Sequence, residues 1–273
     1  MPELPEVETL RRDLESEIGG QAIMHAQVLQ ERMTRGQAGP YIEERLEGQQ
    51  ITAFERRGKF LLLRLRSTDR LLLHRGMSGN VVIQEPWDLI RPHLHLKLEL
   101  NDGRYLAVYD PRGFGEMRVL SAPETEAFSE RLGPEPLGPA LTSAYLARRW
   151  AGRTAPVKAM LLDQRMIAGL GNIYADECLW GARLHPLRRA GSLVSEELAV
   201  LQASIQTILA EAIEFRGTTF SDAFDLHGLP GSYQEQLKIF HRPSCPRCGG
   251  AVVQMRVAGR GTSVCPSCQA APE

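Results

Sequence analysis

Two cysteine pairs near the C-terminus constrain this chain more than any other feature of its sequence. Cys245 and Cys248 form one C-x2-C pair, and Cys265 and Cys268 form a second, with 16 residues between the pairs. Each pair can form a tight turn that places two sulfurs about 2.3 Å from one metal ion, and the intervening residues are long enough for a β-hairpin. Because four thiolates leave no position open for water, the pattern predicts one structural Zn²⁺ ion. A redox or iron–sulfur site is the alternative.

The fifth cysteine, Cys178, stands alone in an apolar stretch. We predict a small buried hydrophobic residue rather than a catalytic thiol, because no histidine neighbours it. An odd number of cysteines argues against a secreted disulfide framework. No apolar run approaches the roughly 20 residues of a membrane span, and the first residues do not resemble a secretory leader. We therefore expect a cytoplasmic protein with no membrane partner.

Charge is distributed unevenly along the 273 residues. The net charge is −1, yet residues 51–100 and 238–273 carry more basic than acidic side chains, whereas residues 1–50 are acidic. A neutral total can conceal a basic surface that binds phosphates, although ordinary scatter of surface charge also explains these counts. Arginine supplies nearly all of the 32 basic residues, so the few lysines, Lys59 and Lys158 among them, are candidates for a titratable amine.

The N-terminal half of the chain is predicted to form one amphipathic helix followed by short strands. Apolar residues at positions 4, 7, 10, 14 and 18 predict a helix that ends at Gly19 and Gly20. The β-rich runs that follow alternate with turns, which favours a β-sandwich over an alternating α/β fold. These runs cover residues 51–54, 60–65, 70–74, 81–83, 93–100, 105–109 and 117–120.

The C-terminal half changes to helical patterns after a segment rich in proline and glycine. The predicted helices cover residues 143–150, 156–163, 172–182 and 195–215. The loop that follows, residues 216–233, is too long for a simple connector, and loops of that length are often functional. The fold class is therefore α+β with several domains: a helix and β-sandwich at 1–131, a linker at 132–142, a helical domain at 143–238 that includes the loop, and the zinc finger at 239–273.

The N-terminus carries a candidate nucleophile. Removal of Met1 would leave Pro2 with a secondary amine, and a pKa near ~8 leaves a usable uncharged fraction at neutral pH. Attack of this amine on a sugar aldehyde carbon gives an iminium ion that acidifies the neighbouring C–H bonds, so that phosphate is easily eliminated. Glu3 could act as general acid or base, with Glu6 one turn further to orient or shuttle protons. Prolines and acids are also good capping residues, so the local pattern leaves both interpretations open.

Several motifs occur in order along the chain: PELPEVE at 2–8, HRGMSG at 74–79, DPRGFG at 110–115, LGPEP at 132–136, GLGNIYA at 169–175, GTT at 217–219 and the paired cysteines. With these motifs the chain resembles the formamidopyrimidine-DNA glycosylases, bacterial enzymes that remove oxidised purines such as 8-oxoguanine. The resemblance covers essentially the whole chain. It implies a β-sandwich domain led by a catalytic helix, a helix-two-turn-helix domain and a zinc-finger β-hairpin. It also implies a monomer that binds double-stranded DNA containing oxidised purines or abasic sites.

The resemblance assigns catalytic roles to individual residues of this chain. Pro2 matches the Schiff-base nucleophile, and Glu3 matches the general acid. Lys59 matches the second proton donor, which assists β-elimination. Arg260 matches the finger arginine that binds the lesion phosphates and assists δ-elimination. The implied activity is therefore base excision followed by cleavage of the strand on both sides of the lesion.

The resemblance also implies how the DNA is held. Met77, Arg112 and Phe114 match three side chains that enter the duplex when the damaged nucleotide leaves it, where apolar wedges and an arginine offset the lost stacking. The loop 216–233 would close over the flipped base, and its implied residues are Gly217, Thr218, Thr219 and Tyr233. The implied DNA-binding residues are His74, His93, Arg112, Arg153, Lys158 and Asn172.

Two departures from the family pattern affect these expectations. Gly113 stands where the family commonly has a second arginine, which puts one phosphate contact and the stiffness of the backbone in doubt. Gly259 and Gly261 flank Arg260, so we expect a flexible hairpin tip before DNA binds. Two other functions remain open: an endonuclease VIII-like glycosylase for oxidised pyrimidines, and a lesion-binding homologue without catalysis, against which the intact Pro2, Glu3, Lys59 and Arg260 argue. A zinc-ribbon module that binds partner proteins does not explain the N-terminus. Leu4 and the full-length loop favour the purine enzyme.

Overall fold

The computed structural model describes residues 2–88, 92–219 and 224–272, and the chain divides into two compact units. The first unit comprises residues 1–130 and 215–234, and the second comprises residues 131–214 and 235–273. The loop 216–233, which the sequence pattern assigned to the helical domain 143–238, therefore packs with the N-terminal unit. Within the described parts of the chain, no helix has both the length and the apolar character needed to cross a membrane.

The first unit is a β-sandwich with three helices. Its elements are α1 (Leu4–Ile18), β1 (Ile23–Val28), α2 (Gly39–Leu46), β2 (Ile51–Arg57), β3 (Phe60–Leu65), β4 (Arg70–His74), β5 (Asn80–Gln84), β6 (Leu94–Leu100), β7 (Tyr105–Tyr109), β8 (Glu116–Leu120) and α3 (Ala122–Glu130). One sheet has the strand order β1-β6-β7-β5 and the other has the order β2-β3-β4-β8. Every neighbouring pair is antiparallel. The predicted β-sandwich is confirmed.

Alternation along the strands explains where the core lies. In β3, Leu61, Leu63 and Leu65 join one large cluster with the apolar residues of α1 and of both sheets. Leu62 points to the opposite face, where it joins a smaller cluster that includes Phe128 of α3. Successive side chains of a strand face opposite sides, so a run buried on both faces is apolar throughout. The main core therefore lies between the two sheets and beneath α1.

The second unit contains four helices and a β-hairpin. Its elements are α4 (Ser143–Trp150), α5 (Val157–Leu162), α6 (Asn172–Gly181), α7 (Ser195–Glu214), β9 (Val253–Val257) and β10 (Arg260–Val264). The turn between α5 and α6 is fixed by Gln164, whose side chain accepts from the Gly169 amide at 2.8 Å and donates to the Leu170 carbonyl at 2.8 Å. Gly169 has a φ of +92°, which glycine adopts without strain. The helices and the hairpin agree with the fold class predicted from the sequence.

Three elements of the first unit were not predicted. In strand β1, His25 and Gln27 interrupt the apolar residues without strict alternation, and helix α2 begins at Gly39 and Pro40, so neither segment shows a clear period. Helix α3 is short and largely exposed, with one buried residue, Thr125. Elements held mainly by tertiary contacts carry weak local signals. Cys178 is fully buried, as predicted.

Candidate active site, duplex-contacting residues and zinc centre

The start of α1 gathers three of the predicted catalytic residues. Pro2 and Glu3 are buried, and Glu3 precedes the helix as its N-cap. The Glu3 amide donates to Glu6 Oε2 at 2.7 Å, so the Glu6 carboxylate fixes the backbone next to Pro2. A carboxylate at this position satisfies an amide that has no partner within the helix. The prolines and acids of the N-terminus therefore do cap the helix, and the same contacts hold the candidate nucleophile in place.

Glu6 also binds the loop at residues 216–233, which we call the base-capping loop after its expected role. Residues 220–223 of this loop lie outside the described residues. Glu6 Oε1 accepts from the Thr218 amide at 2.7 Å and from the Thr218 hydroxyl at 3.1 Å. Gly217 has a φ of +75°, and a Cβ at that position would lie 2.5 Å from Glu6 Oε1. Glycine is thus required at position 217 for both conformation and space. The Tyr233 amide donates to the Gly217 carbonyl at 2.9 Å, which joins the two ends of the loop.

Lys59 lies in the turn between β2 and β3 and is buried. The next residue, Phe60, pairs across the sheet with His74, and their rings lie 4.6 Å apart. Nδ1 of His74 accepts from the Gly76 amide at 3.1 Å. Burial, together with the Lys59 charge, lowers the pKa of His74 to about 4. The imidazole is therefore neutral at physiological pH and keeps Nε2–H as a donor.

The buried neutral state of His74 gives the free protein a defined pH dependence. The unfolded pKa is about 6.5, so below that pH the unfolded chain takes up a proton that the folded chain excludes. His74 should therefore destabilise the fold as the pH falls from about 6.5 towards 4, by about 2 kcal/mol at pH 5. Urea titrations at pH 7.5 and 5 should show a smaller pH effect for His74→Gln than for the wild type. Equal pH effects in the two proteins would contradict this assignment.

The three predicted wedge residues lie on two adjacent turns of the first unit. Met77 and Phe114 are apolar yet 37% and 49% exposed, and the Arg112 guanidinium lies 5.0 Å from the centre of the Phe114 ring. Single exposed apolar residues are common on protein surfaces, but Met77 and Phe114 lie on neighbouring turns, and a clustered apolar surface is typical of a contact site. The turns approach closely, because a Cβ on Gly76 would lie 2.6 Å from the Gly115 nitrogen.

Asp110 joins the two turns. One of its carboxylate oxygens accepts from the Ser78 hydroxyl at 2.7 Å and from the Arg112 amide at 3.1 Å, and the other accepts from the Gly115 amide at 2.8 Å. Burial alone would raise the pKa of Asp110, but these hydrogen bonds outweigh it and the pKa is lowered. The carboxylate is thus ionised at neutral pH and sets the spacing of Met77 and Phe114.

Gly113 has a φ of +62°, a conformation that favours glycine over arginine. The side chain of Arg32 occupies the space that a Cβ would need, with Cδ and Nε each 2.7 Å from that position. Arg32 is exposed, so this chain places an arginine beside the wedge from a different segment. Sequence reasoning missed Arg32, because no motif links it to position 113. His93 is exposed with a φ of +68°, and its carbonyl accepts from the Asp110 amide at 3.1 Å.

In the second unit, Lys158 differs from its predicted role as a phosphate contact. Its ammonium is fully buried and forms an ion pair with Asp176 at 2.6 Å. It also donates to the Thr262 hydroxyl at 2.7 Å and to the Gly261 carbonyl at 3.0 Å. A buried ammonium with three partners cannot reach a phosphate in solvent, so Lys158 holds the hairpin. Asn172 donates to the same Gly261 carbonyl at 3.0 Å while remaining partly exposed.

Arg260 is exposed at the first position of β10. Ala258 and Gly259 form the two-residue turn before it, and both have positive φ, as a tight hairpin turn requires. Gly261 pairs with Arg256 and carries the carbonyl that Lys158 binds. Gly259 therefore lies in a tight turn and Gly261 in an anchored strand, while the flexibility of the tip before DNA binds stays a prediction. Arg153 is exposed just after α4.

The four predicted metal ligands come together. The sulfurs of Cys245, Cys248, Cys265 and Cys268 all lie within 4.8 Å of one another, as ligands of one tetrahedral ion do. Trp180 of α6 donates its indole N–H to Cys245 Sγ at 3.3 Å. Four thiolates form a closed, structural Zn²⁺ site that supplies no open position for catalysis.

Three family models match successive parts of the chain. They are the formamidopyrimidine-DNA glycosylase N-terminal domain over residues 1–117, the formamidopyrimidine-DNA glycosylase H2TH domain over residues 132–223, and the zinc finger found in FPG and IleRS over residues 244–271. The chain belongs to the formamidopyrimidine-DNA glycosylase family. The helix-two-turn-helix and zinc-finger expectations are thereby confirmed.

Relatives within the formamidopyrimidine-DNA glycosylases match along almost their whole length. The formamidopyrimidine-DNA glycosylase of Chloroflexus aggregans is 41% identical over 98% of both chains. That of Symbiobacterium thermophilum is 44% identical over 100% of this chain and 90% of its own. Among solved structures, a complex of the Lactococcus lactis enzyme with DNA containing an abasic site superposes with a TM-score of 0.93 at 33% identity, covering 98% of this chain and 100% of that one. A second complex of the Lactococcus lactis enzyme, with DNA containing an oxidised pyrimidine, superposes with a TM-score of 0.92 at 33% identity. It covers 99% of this chain and 100% of that one.

Proposed function

We propose that this chain is a base-excision repair enzyme that removes oxidised purines from double-stranded DNA and then cuts the resulting abasic strand by β,δ-elimination. The observation that carries the proposal is the arrangement at the start of α1. There Glu6 accepts from the Glu3 amide beside Pro2 and from the Thr218 amide of the capping loop. Membership of the formamidopyrimidine-DNA glycosylase family supports it, as do the complexes of a relative with abasic and oxidised DNA.

In the proposed reaction, the Pro2 nitrogen bonds to C1′ while the bond from C1′ to the base breaks, and the proton that the amine loses passes to the departing base. Glu3, acting as general acid, protonates the sugar ring oxygen as the ring opens, which leaves a cationic iminium at C1′. Loss of a C2′ proton then expels the 3′ phosphate, and loss of a C4′ proton expels the 5′ phosphate. Hydrolysis of the iminium finally frees Pro2. A secondary amine suits this chemistry because its iminium keeps the positive charge without being protonated.

Other residues act on the leaving groups and on the DNA backbone. We assign Lys59 to proton donation during β-elimination and Arg260 to the lesion phosphates, where an exposed guanidinium can bind two oxygens at once. His74, His93, Arg112, Arg153 and Asn172 are the proposed backbone contacts. Met77, Arg112 and Phe114 are the proposed wedge, because a base must leave the stack before its glycosidic bond can be reached. Thr219 and the rest of the capping loop would receive the flipped base.

The proposal is tested by trapping the covalent intermediate. Borohydride added with an 8-oxoguanine duplex should reduce the iminium to a stable protein–DNA adduct, detected on a denaturing gel. We expect Pro2→Gly, with its N-terminus verified by mass spectrometry, to lower the adduct yield by about 100-fold or more. Pro5→Ala is the matched control, because it removes the other proline of the same helix start and should leave trapping unchanged. A lack of adduct with the wild type, or undiminished trapping by Pro2→Gly, would refute the proposed nucleophile.

An endonuclease VIII-like preference for oxidised pyrimidines is the second candidate. The reason to test it is that the relative from Lactococcus lactis has been solved in complex with DNA containing an oxidised pyrimidine. The same gel run with an oxidised-pyrimidine duplex separates the two: we expect faster excision of 8-oxoguanine. A faster reaction with the pyrimidine would reverse the substrate assignment while keeping the chemistry. A wild type that binds lesion DNA without any cleavage would instead indicate a non-catalytic homologue. We further propose that the protein acts as a monomer in the cytoplasm, where bacterial DNA lies.

A further inference from the structure

Arg75 is a buried arginine that none of the roles above uses. It follows His74, two residues before Met77 of the wedge, and only 5% of the residue is exposed. Its Nε donates to the Gly79 carbonyl at 2.7 Å, so it spans the turn 75–79 that presents Met77. Its Nη2 donates to Asn80 Oδ1 at 2.8 Å and to the Phe224 carbonyl at 2.9 Å. One guanidinium therefore joins the Met77 turn to the base-capping loop.

Asn80 completes this connection. Its Oδ1 accepts from Arg75 and also from the Phe224 amide at 3.1 Å. Both backbone polar groups of Phe224 are thus fixed by side chains near the Met77 turn. The next residue, Asp225, accepts from the amides of His227 and Leu229 and binds Arg216 at 2.7 Å. Residues 224–229 consequently form a small rigid turn that Arg75 and Asn80 hold against the sandwich.

The capping loop is therefore anchored twice. Near its beginning, Thr218 is bound by Glu6 of the catalytic helix, and in its middle, Phe224 is bound by Arg75 and Asn80. The first anchor connects the loop to the nucleophile, and the second connects it to the wedge. Hydrogen bonds to a charged donor are stronger than neutral ones, and their fork geometry fixes direction as well as distance.

The chemistry of the Arg75 site favours a positioning role over a stabilising one. Its three acceptors are uncharged oxygens, and burial lowers its pKa to about 10, with Glu6 and Asp225 as the nearby charges that oppose this shift. The guanidinium remains charged at neutral pH. Desolvating a cation for neutral acceptors contributes little to stability, and an apolar side chain of similar volume often stabilises a fold equally well. The presence of Arg75 at this position is therefore better explained by its alignment of the Met77 turn with Phe224 than by a contribution to stability.

We propose that Arg75 is a positioning residue that holds residues 224–229 of the base-capping loop beside the Met77 turn, so that excision of a damaged base depends on it whereas cleavage at a preformed abasic site does not. The inference rests on the proposed function. An abasic site carries no base for the loop to receive, and Pro2, Glu3 and Lys59 do not contact Arg75 through any of the hydrogen bonds described above. The two half-reactions should therefore respond differently to the same substitution.

The test compares two duplexes under single-turnover conditions, one with 8-oxoguanine and one with a preformed abasic site. We expect Arg75→Met to slow excision by about 10- to 100-fold, the effect of losing two or three charged hydrogen bonds, and to change abasic cleavage by less than about 2-fold. Arg75→Lys keeps the charge but cannot reach three acceptors, so it should show the same selective loss, and it provides the measurement if Arg75→Met fails to fold. Arg70→Met is the matched control: it removes an arginine from the same strand region, one that pairs with Glu55 at 3.0 Å.

Each outcome of this experiment either supports or overturns the proposed role of Arg75. Selective loss of excision in the Arg75 variants, with Arg70→Met unchanged, supports the proposal. Equal loss of both reactions means that Arg75 is only structural, and no loss of either means that the second anchor has no function; both results overturn the inference while leaving the proposed function intact. A wild type that cuts neither duplex overturns the proposed function and this inference with it.

Discussion

Removing the zinc ion is expected to lower the affinity for lesion-containing DNA by at least about 100-fold and to stop strand cleavage, while the β-sandwich remains folded. The segment after residue 238 has a small core of its own, formed by Ile239, Cys245 and Cys265 with partly buried neighbours. Such a segment cannot bury enough apolar surface to fold without the metal. Loss of the ion should release β9 and β10, and Arg260 with them.

The measurement combines chelation with two readouts. Hydrogen exchange should show lost protection in residues 244–268 and unchanged protection in β3 and β4. Trp180 reports on the site directly, because its indole donates to Cys245 and the Arg247 guanidinium lies 4.0 Å from its ring centre. A fluorescence change on chelation that is absent from Trp180→Phe would localise the event. Normal DNA binding by zinc-free protein would show that the finger serves stability alone.

Breaking the buried pair of Lys158 and Asp176 should have the second largest effect. Both side chains are fully buried, so Lys158→Met leaves a carboxylate without its cation, a change that typically costs about 3–5 kcal/mol. Asp176 also accepts from the Ser263 amide at 2.9 Å, so the change strains the hairpin as well as the helices. The loss of unfolding free energy should be measured by urea titration, together with affinity for lesion DNA.

The double variant and the pH supply the controls for this prediction. Lys158→Met with Asp176→Asn removes both charges and keeps an oxygen for Ser263, so part of the lost stability should return. Burial already raises the pKa of Asp176 to about 6 against the opposing effect of Lys158. Without the lysine the folded state binds a proton more readily than the unfolded state does, so Lys158→Met should recover stability as the pH falls from 8 to 6. A single variant as stable as the wild type at pH 8 would contradict the assigned role.

The parts of this molecule that sequence reasoning predicted are those whose signal is local. The period of α1, the apolar runs of β3 and β4, and the spacing of the cysteines each reflect constraints within a few residues. The N-terminal residues Pro2, Glu3 and Glu6 were singled out by their chemistry together with the family motif, and their catalytic roles stay predictions. These residues do lie together, with Glu6 bonded to the Glu3 amide.

What sequence reasoning missed depends on contacts between distant residues. Lys158 was assigned to phosphate binding, yet Asp176, Thr262 and the Gly261 carbonyl surround it. No sequence spacing predicts that an ammonium meets Gly261 and Thr262, which lie 103 and 104 positions further along the chain. The loop 216–233 was assigned to the helical domain because it follows α7, whereas Glu6 and Arg75 bind it to the sandwich. The sequence does not show what a charged side chain contacts, since the same residue type can face solvent, bind a substrate or pair with a buried partner.

The contacts of α6 have a consequence for exchanging parts between relatives. Glu177 accepts from the backbone amides of Lys238, Ile239 and Phe240 at 2.8, 2.9 and 2.8 Å, and the preceding residue, Asp176, accepts from Ser263. Two adjacent carboxylates on α6, those of Asp176 and Glu177, thus hold the zinc-finger segment. They accept hydrogen bonds from its backbone amides, which do not depend on side-chain identity. A zinc finger transplanted from another member of the family should dock correctly even when most of its side chains differ. The same transplant into a host that lacks these two carboxylates should fold around its metal yet point its arginine in no fixed direction.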